Sequence, residues 1–225
     1  MFYVISVIFA RSQDMFTATT FIDLEGAYDR VWRNGLLYKL HQAGLRGKLF
    51  LSIASFLTNR FARSFANSDV SDWIETLLGL PQRSILSPIL FIFFIMDLTY
   101  RIPNQISYAD DLSLWISALT LKECQSNTKS AIQDITEWCY KWGQSHHKTE
   151  FMIHAPRKQK GTMEILDQAD KPIPQVKTRR LLGVIIDEEL EFKDHISFIT
   201  GRAMSALHGI APIIKHTPWS TALTV

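Results

Sequence analysis

The sequence predicts an α+β domain in which helices stack on an antiparallel sheet. Two observations carry this. Short apolar runs with strand character alternate with helical segments, in the order strand, helices, strands, helix, hairpin, helix, strand. Between them, Leu121, Cys124, Thr128, Ala131, Ile132, Ile135, Trp138, Cys139 and Trp142 recur at three- and four-residue steps, the signature of an amphipathic helix. With 225 residues, 47% of them hydrophobic, the chain suffices for one large core, or one core plus a small appendage.

The elements follow in order. Met1 to Ala10 is apolar and lacks a basic leading region, so it reads as buried structure or an arbitrary start rather than a signal peptide. Phe21 and Ile22 end an apolar strand at Asp23. Asn34 is the expected cap of a helix running to Ala43, with Gly44 as its stop. A second helix spans about Lys48 to Leu57. Phe61–Ala66 and Trp73–Leu78 are expected to pair as a hairpin joined by Asn67-Ser68-Asp69. Ser87 followed by Pro88 predicts a helix start, with the helix reaching Leu98. Gln105–Ala109 and Leu112–Ile116 flank Asp110-Asp111 and read as strand, two-residue turn, strand. Gly143 ends the amphipathic helix. Phe151–His154 reads as a strand, Leu181–Ile186 with Glu188–Phe192 as a second hairpin, and residues from Asp194 onward as helix.

Composition narrows the function. Cys124 and Cys139 are the only cysteines, so neither a zinc knuckle nor a disulfide framework is indicated, and both fall on the apolar helix face. The apolar run Ile89–Met96 is too short to cross a membrane. Without a signal peptide or spanning segment, an intracellular location (nucleus or cytoplasm) with no membrane partner is expected. The net charge is +2, yet residues 155–180 hold seven basic and three acidic side chains. Such a stretch suits a phosphate-rich partner, and equally a solvated surface.

Adjacent carboxylates at a hairpin tip repel unless a positive charge sits there, and divalent cations are the usual answer. An Asp-Asp turn with no ligand is the alternative. Should the strand ending at Asp23 neighbour the hairpin, three carboxylates converge. Such a cluster can hold two Mg²⁺ about 3.5–4 Å apart and clamp both oxygens of a phosphoryl transfer.

Residues 21–32, Phe-Ile-Asp-Leu-Glu-Gly-Ala-Tyr-Asp-Arg-Val-Trp, resemble motif A of reverse transcriptases from non-LTR (LINE-type) retrotransposons, especially the jockey-like group. Gly-Leu-Pro-Gln-Arg-Ser-Ile-Leu-Ser-Pro at 79–88 is similar to motif B, and Tyr-Ala-Asp-Asp at 108–111 to motif C. Trp138–Trp142 with His147-Lys148-Thr149-Glu150 resemble motif D. Leu181-Leu182-Gly183-Val184, leading to Phe192-Lys193-Asp194-His195-Ile196, resembles motif E and the start of a thumb. Five blocks in family order are a far more specific signal than any one alone.

The resemblance implies a polymerase palm with a ferredoxin- or RRM-like core over residues 17–192, an unassigned segment 1–16 and the start of a helical thumb at 193–225. It implies RNA-directed DNA polymerase activity using an RNA template, a DNA primer and deoxynucleoside triphosphates. Two Mg²⁺, or Mn²⁺ in their place, would be held by Asp23, Asp110 and Asp111. Tyr28 stands where the family's steric gate excludes a 2′-hydroxyl, and core packing is its other reading. Gln82 would lie near the template–nucleotide pair, and Lys148 would neutralise or protonate the leaving pyrophosphate; each also reads as an ordinary surface residue. Leu182 and Gly183 fall in the primer-grip hairpin, beside which Lys177, Arg179 and Arg180 would touch backbone phosphates.

The chain departs from the pattern in places. Arg83 replaces a glycine of motif B, so it either obstructs the substrate or contacts a phosphate. Gly26 stands where lysine is usual, and the approach to Lys148 is shortened. About twenty residues precede motif A, so basic fingers segments, an endonuclease and most of a thumb are expected to be missing, as parts of a longer polyprotein. An inactive remnant retaining only nucleic-acid binding is the alternative.

Overall fold

Strand β1 (Phe16–Asp23) is buried along nearly its whole length, and the rest of the sheet is arranged around it. The computed structural model describes residues 2–66, 69–102, 104–146, 148–156, 159, 161–167 and 170–215, the last five as backbone. Helix α1 (Phe2–Ser12) precedes β1, and α2 (Arg33–Gln42) and α3 (Gly47–Leu57) follow it. Short strands β2 (Phe61–Ala62), β3 (Phe65–Ala66), β4 (Asp69–Val70) and β5 (Ile74–Glu75) come next, then α4 (Leu86–Thr99). Strands β6 (Gln105–Tyr108) and β7 (Asp111–Ala118), helix α5 (Leu121–Trp142) and strand β8 (Lys148–His154) complete the main unit, which runs to Gln175. A second unit, Val176–Val225, contains β9 (Thr178–Leu181), β10 (Val184–Asp187) and α6 (Lys193–Lys215).

The main sheet is antiparallel in the order β6-β7-β1-β8. This is the α+β arrangement the sequence predicted, a mixed fold of helices and antiparallel strands. Alternation along β1 assigns its faces. Phe16, Ala18 and Ile22 join the cores that α5 covers with Cys124, Ile132, Ile135 and Trp138. On the opposite face the Tyr3 hydroxyl of α1 hydrogen-bonds Thr19 Oγ1 (3.0 Å) and His154 Nε2 (2.9 Å). Both faces are therefore dry, and Thr17, Thr19 and Thr20 are buried along with the apolar residues of the strand.

Helix ends differ from the sequence reading in informative ways. Arg33 begins α2 with Trp32 as its cap, so Asn34 lies inside the first turn rather than before it. Helix α4 starts at Leu86, and Pro88 sits within the first turn, where no intrahelical N–H is required. The cap of α5 is Thr120, whose Oγ1 accepts a bond from the Glu123 N–H (3.2 Å), and Gly143 closes it in the left-handed region as expected. The expected hairpin over 61–78 forms as two short paired segments, β2 with β5 and β3 with β4; Asn67 and Ser68 lie outside the described residues. In the second unit the hairpin pairs β9 with β10 through a turn at Leu182-Gly183, not Leu181–Ile186 with 188–192. Both turn residues have positive φ (47° and 88°), the two-residue pattern matched to strand twist; a leucine in that place conceals it from sequence. Among the described residues, no helix is long and apolar enough to cross a membrane.

Lys39 knits α2, α4 and α5 together. Its Nζ donates to Asp97 Oδ1 (2.6 Å) and the Phe94 carbonyl (2.5 Å), and stands 3.8 Å from the Trp142 ring centroid. Trp138 Nε1 donates to the same Asp97 oxygen (3.0 Å). The Lys39 side chain is only 9% exposed, and burial pushes its ammonium down to about 8 from 10.5, against the opposing pull of Asp97. Below pH 8 both folded and unfolded chains carry the proton, so stability does not change with pH through this group. Between about pH 8 and 10.5 the unfolded state holds more protons, and stability rises with pH. In urea melts across that window, wild type should gain up to about 3 kcal/mol relative to Lys39→Met. A pH-independent difference between the two would refute the lowered value.

Candidate active site

Asp23 closes β1 between two charged neighbours. In the sheet register its Cα partner on β7 is Asp111, and its Cα partner on β8 is Lys148. Register partners share a face, so two carboxylates and one ammonium are set side by side. Like charges directly opposite destabilise a strand pair, and nothing in β propensity calls for them here. Lys148 is on a strand because β8 begins three residues earlier than Phe151, where the sequence placed it. The loops at this end are tied to one another: the Leu24 N–H donates to the Asp110 carbonyl (3.1 Å), and the Glu25 N–H to the Ser145 carbonyl (2.9 Å).

The hairpin tip is shifted by one residue from its expected position. Tyr108 pairs with Asp111, so the turn is Ala109-Asp110, with φ +53° at Ala109, and Asp111 belongs to the strand. The two aspartates consequently separate in position. Asp111 lies in the pleat beside Asp23, while Asp110 lines a cleft. Asp23, Asp110 and Asp111 thus meet at one end of the sheet without gathering into one cluster. Among the described residues no group of three His, Cys, Asp or Glu side chains is placed to hold a metal ion.

The cleft, about 410 Å³, lies between residues 26–29, residues 82–88 and the hairpin tip. Backbone bonds fix the first two segments: the Gly79 N–H donates to the Val31 carbonyl (2.9 Å) and the Leu80 N–H to the Tyr28 carbonyl (2.8 Å). Gly79 is required at this approach. Its φ is +86°, and a Cβ there would stand 2.8 Å from the Asp29 carbonyl oxygen. Ser87 Oγ donates to the Pro81 carbonyl (2.6 Å), holding the start of α4 against the same loop.

Four of the expected site residues line this cleft, Tyr28, Gln82, Arg83 and Asp110, as does Gly26. The Tyr28 ring stacks on Phe91 of the core (4.7 Å between centroids, 23° between planes), as its core-packing reading expects, and it also borders the cleft. Burial pushes its phenol up, as do the charges of Asp110 and then Tyr108. Gln82 Nε2 donates to both carboxylate oxygens of Asp29 (3.0 and 3.3 Å), which orients the amide. Asp29 was not singled out from sequence; its only signal was its place directly after Tyr28. Arg83 is exposed and has φ +60°, a backbone conformation that a glycine adopts freely and an arginine does not.

Of the remaining residues, Lys177, Arg179, Arg180, Leu182 and Gly183 belong to the second unit. Arg179 and Arg180 lie on β9, opposite Ile186 and Ile185, and the Arg180 guanidinium stands 5.3 Å from the Phe198 ring. Arg157, Lys158 and Lys160, from the basic stretch, lie outside the described residues, as does His147.

The chain is similar to known proteins over most of its length. Residues 7–186 match the family model described as reverse transcriptase (RNA-dependent DNA polymerase). The probable RNA-directed DNA polymerase from transposon X-element of Drosophila melanogaster is 28% identical over 195 residues, covering 81% of this chain and 21% of the relative. The RNA-directed DNA polymerase from mobile element jockey of Drosophila funebris is 28% identical over 211 residues, covering 84% and 21%. The chain thus spans about a fifth of the length of the curated relatives it matches. Among solved structures, apo telomerase from Candida tropicalis, truncated from its C-terminal domain, shares the fold. The TM-score is 0.53 at 12% identity, over 81% of this chain and 37% of that one.

The backbone at Arg83 yields a direct test. Arg83→Gly should stabilise the chain by about 0.5–1 kcal/mol, the relief of a left-handed residue less the extra freedom of the unfolded glycine. Arg83→Ala should give no gain, because alanine carries the same Cβ. Calorimetric melting of the three proteins checks this.

Proposed function

Because the chain belongs to the reverse transcriptase (RNA-dependent DNA polymerase) family, we propose that it is the polymerase palm of a jockey-like, non-LTR retrotransposon enzyme, extending a DNA primer along an RNA template. The observation that carries this reading is the meeting, at one sheet end, of Asp23, Asp111 and Lys148 in register with a cleft bordered by Tyr28, Gln82, Arg83 and Asp110.

The donor set fits divalent cations in its chemistry, since three carboxylates at one sheet end supply hard oxygens, although their side chains are not gathered into one cluster. Asp23, Asp110 and Asp111 would hold two Mg²⁺, or Mn²⁺ in their place. When bound, such ions neutralise the charge on the transferred phosphoryl group.

The reaction forms a bond from the primer 3′-oxygen to the α-phosphorus of the nucleotide, breaks the bond to the β-phosphate oxygen and releases pyrophosphate. The chain's own residues supply position and charge. Tyr28, held by Phe91, presents its ring where a ribose 2′-hydroxyl would crowd it, favouring deoxynucleotides. Gln82, aimed by Asp29, stands beside the nucleotide. Lys148, level with Asp23, neutralises or protonates the pyrophosphate. In the second unit, Lys177, Arg179 and Arg180, with Leu182 and Gly183 at the turn, would serve the primer backbone. Arg83 favours a second reading, an inactive remnant that keeps only nucleic-acid binding, because it lines the cleft with the bulk of a long side chain.

Mg²⁺-dependent primer extension on an RNA template separates the two readings. Wild type should extend, and Asp110→Ala should be slower by roughly 10²–10³-fold or more, the loss expected when one preorganised electrostatic group goes. Equal signals, or none from either protein, would leave only the binding remnant. Mg²⁺ should also raise the melting temperature of wild type more than that of Asp23→Asn, since a ligand bound to the folded state stabilises it.

A further inference from the structure

A second groove opens beside the cleft, and the two share Asp29 and Gln82. It has a volume of about 340 Å³ and leads past Arg33 and Arg60 to Phe61 at the base of the hairpin built from β2 to β5. Its charge is unusual. Arg33 is 8% exposed, yet its guanidinium spends its donors on neutral acceptors. Nε donates to the Gly79 carbonyl (2.6 Å), Nη2 to the Leu78 carbonyl (2.6 Å) and Thr76 Oγ1 (3.1 Å), and Nη1 to the Thr76 carbonyl. Burial and then the neighbouring Arg60 push the Arg33 guanidinium down. Two cations thus share one groove with a single carboxylate, Asp29, whose oxygens accept from Gln82 while the bonds of Arg33 go to neutral acceptors. A buried charge with no carboxylate bonded to it is costly, and a further anion in the groove would offset it.

The hairpin beyond the groove adds stacking surfaces. Phe61, Phe65 and Trp73 are 56%, 69% and 61% exposed. The Arg63 guanidinium lies 4.9 Å from the Phe65 ring centroid and 4.5 Å from that of Trp73. Arg60 and Arg63 both stand on the outgoing segment of the hairpin, while its acids, Asp69, Asp72 and Glu75, stand on the return. The outgoing segment therefore alternates arginine with aromatic rings, Arg60-Phe61 and Arg63-Phe65, with Glu75 opposite Phe61, and Arg63 reaches across to Trp73 on the return; this is the chemistry that tracks a nucleic-acid backbone while stacking its bases.

We propose that this groove and hairpin edge form a single-stranded nucleic-acid tract that holds the unpaired template beyond the polymerase cleft, with phosphates at Arg60 and Arg63 and bases on Phe61, Phe65 and Trp73. The template role rests on the polymerase reading above; the binding chemistry does not. An apolar protein partner would use the rings and leave the two arginines and the shared groove without purpose.

The test uses the full chain and two fluorescent primer–template duplexes, one blunt and one with an oligouridine template overhang, followed by anisotropy. Wild type should prefer the overhang. Trp73→Ala should weaken overhang binding by roughly 5–150-fold, the loss of one stacked base, and leave the blunt duplex unaffected. Trp73→Phe should restore most of that binding, which a merely unfolded hairpin would not permit. Arg60→Ala should lower the salt slope of overhang binding by about 0.7, one phosphate contact on a single strand. No overhang preference in wild type, or equal losses on both duplexes, overturns the tract. Primer extension run in parallel keeps the two ideas apart. Asp110-dependent extension with Trp73→Ala binding unchanged overturns the tract alone. A Trp73-dependent overhang preference without extension upholds the tract as a binding surface and overturns the polymerase reading.

Discussion

The double pairing of β1 is the constraint from which the site follows. A strand paired on both edges and covered on both faces cannot slip by one residue without sending every side chain to the opposite face. Here that slip would move Ile22 out of the α5 core and break the Tyr3–Thr19 contact with α1. The packing of the middle of the strand therefore determines what stands at its end. Asp23 is held level with Asp111 and Lys148 by apolar contacts that involve none of the three.

The cleft beside this end depends on a different contact. Gly79 lets residues 79–80 approach the 28–31 segment closely enough for two backbone bonds, and the loop carrying Gln82 and Arg83 is thereby set against Tyr28. Lys39 secures the helices behind by joining α2 to α4 and α5 in one network of charge, hydrogen bond and aromatic face. Against this consistent background two features break local rules: facing carboxylates at Asp23–Asp111, and an arginine in a glycine conformation at 83. Local conflict of this kind concentrates where function outweighs stability. On the cation-holding reading proposed above, the carboxylates fit that account. Arg83 lines the cleft, and among the described residues no hydrogen bond or ion pair offsets its backbone conformation.

Much of this was legible in the sequence. The α5 periodicity, the end of β1 at Asp23 and the stop at Gly143 are local patterns, and each appears where those patterns place it. The family was legible as well, because spacing along the chain is what a motif records. The misreadings were also local. Asn34 and Ser87 have the chemistry of helix caps, yet Trp32 and Ile85 hold those positions, because contacts with Gly79 and Pro81 decide where the chain turns. Ala109 and Leu182 occupy positive-φ turn positions that their side chains give no hint of.

The sequence by itself determined the class of fold, the family and the inventory of charged groups, all properties of residue type and short-range order. Tertiary structure alone decided their pairing. It put Asp111 rather than Asp110 beside Asp23, brought Lys148 level with both, set Asp29 to orient Gln82, and joined the cleft to the arginine-lined groove. These relations run between residues far apart in the chain. They depend on register and close approach, and those are fixed by the packing of a core whose members carry no chemistry of their own.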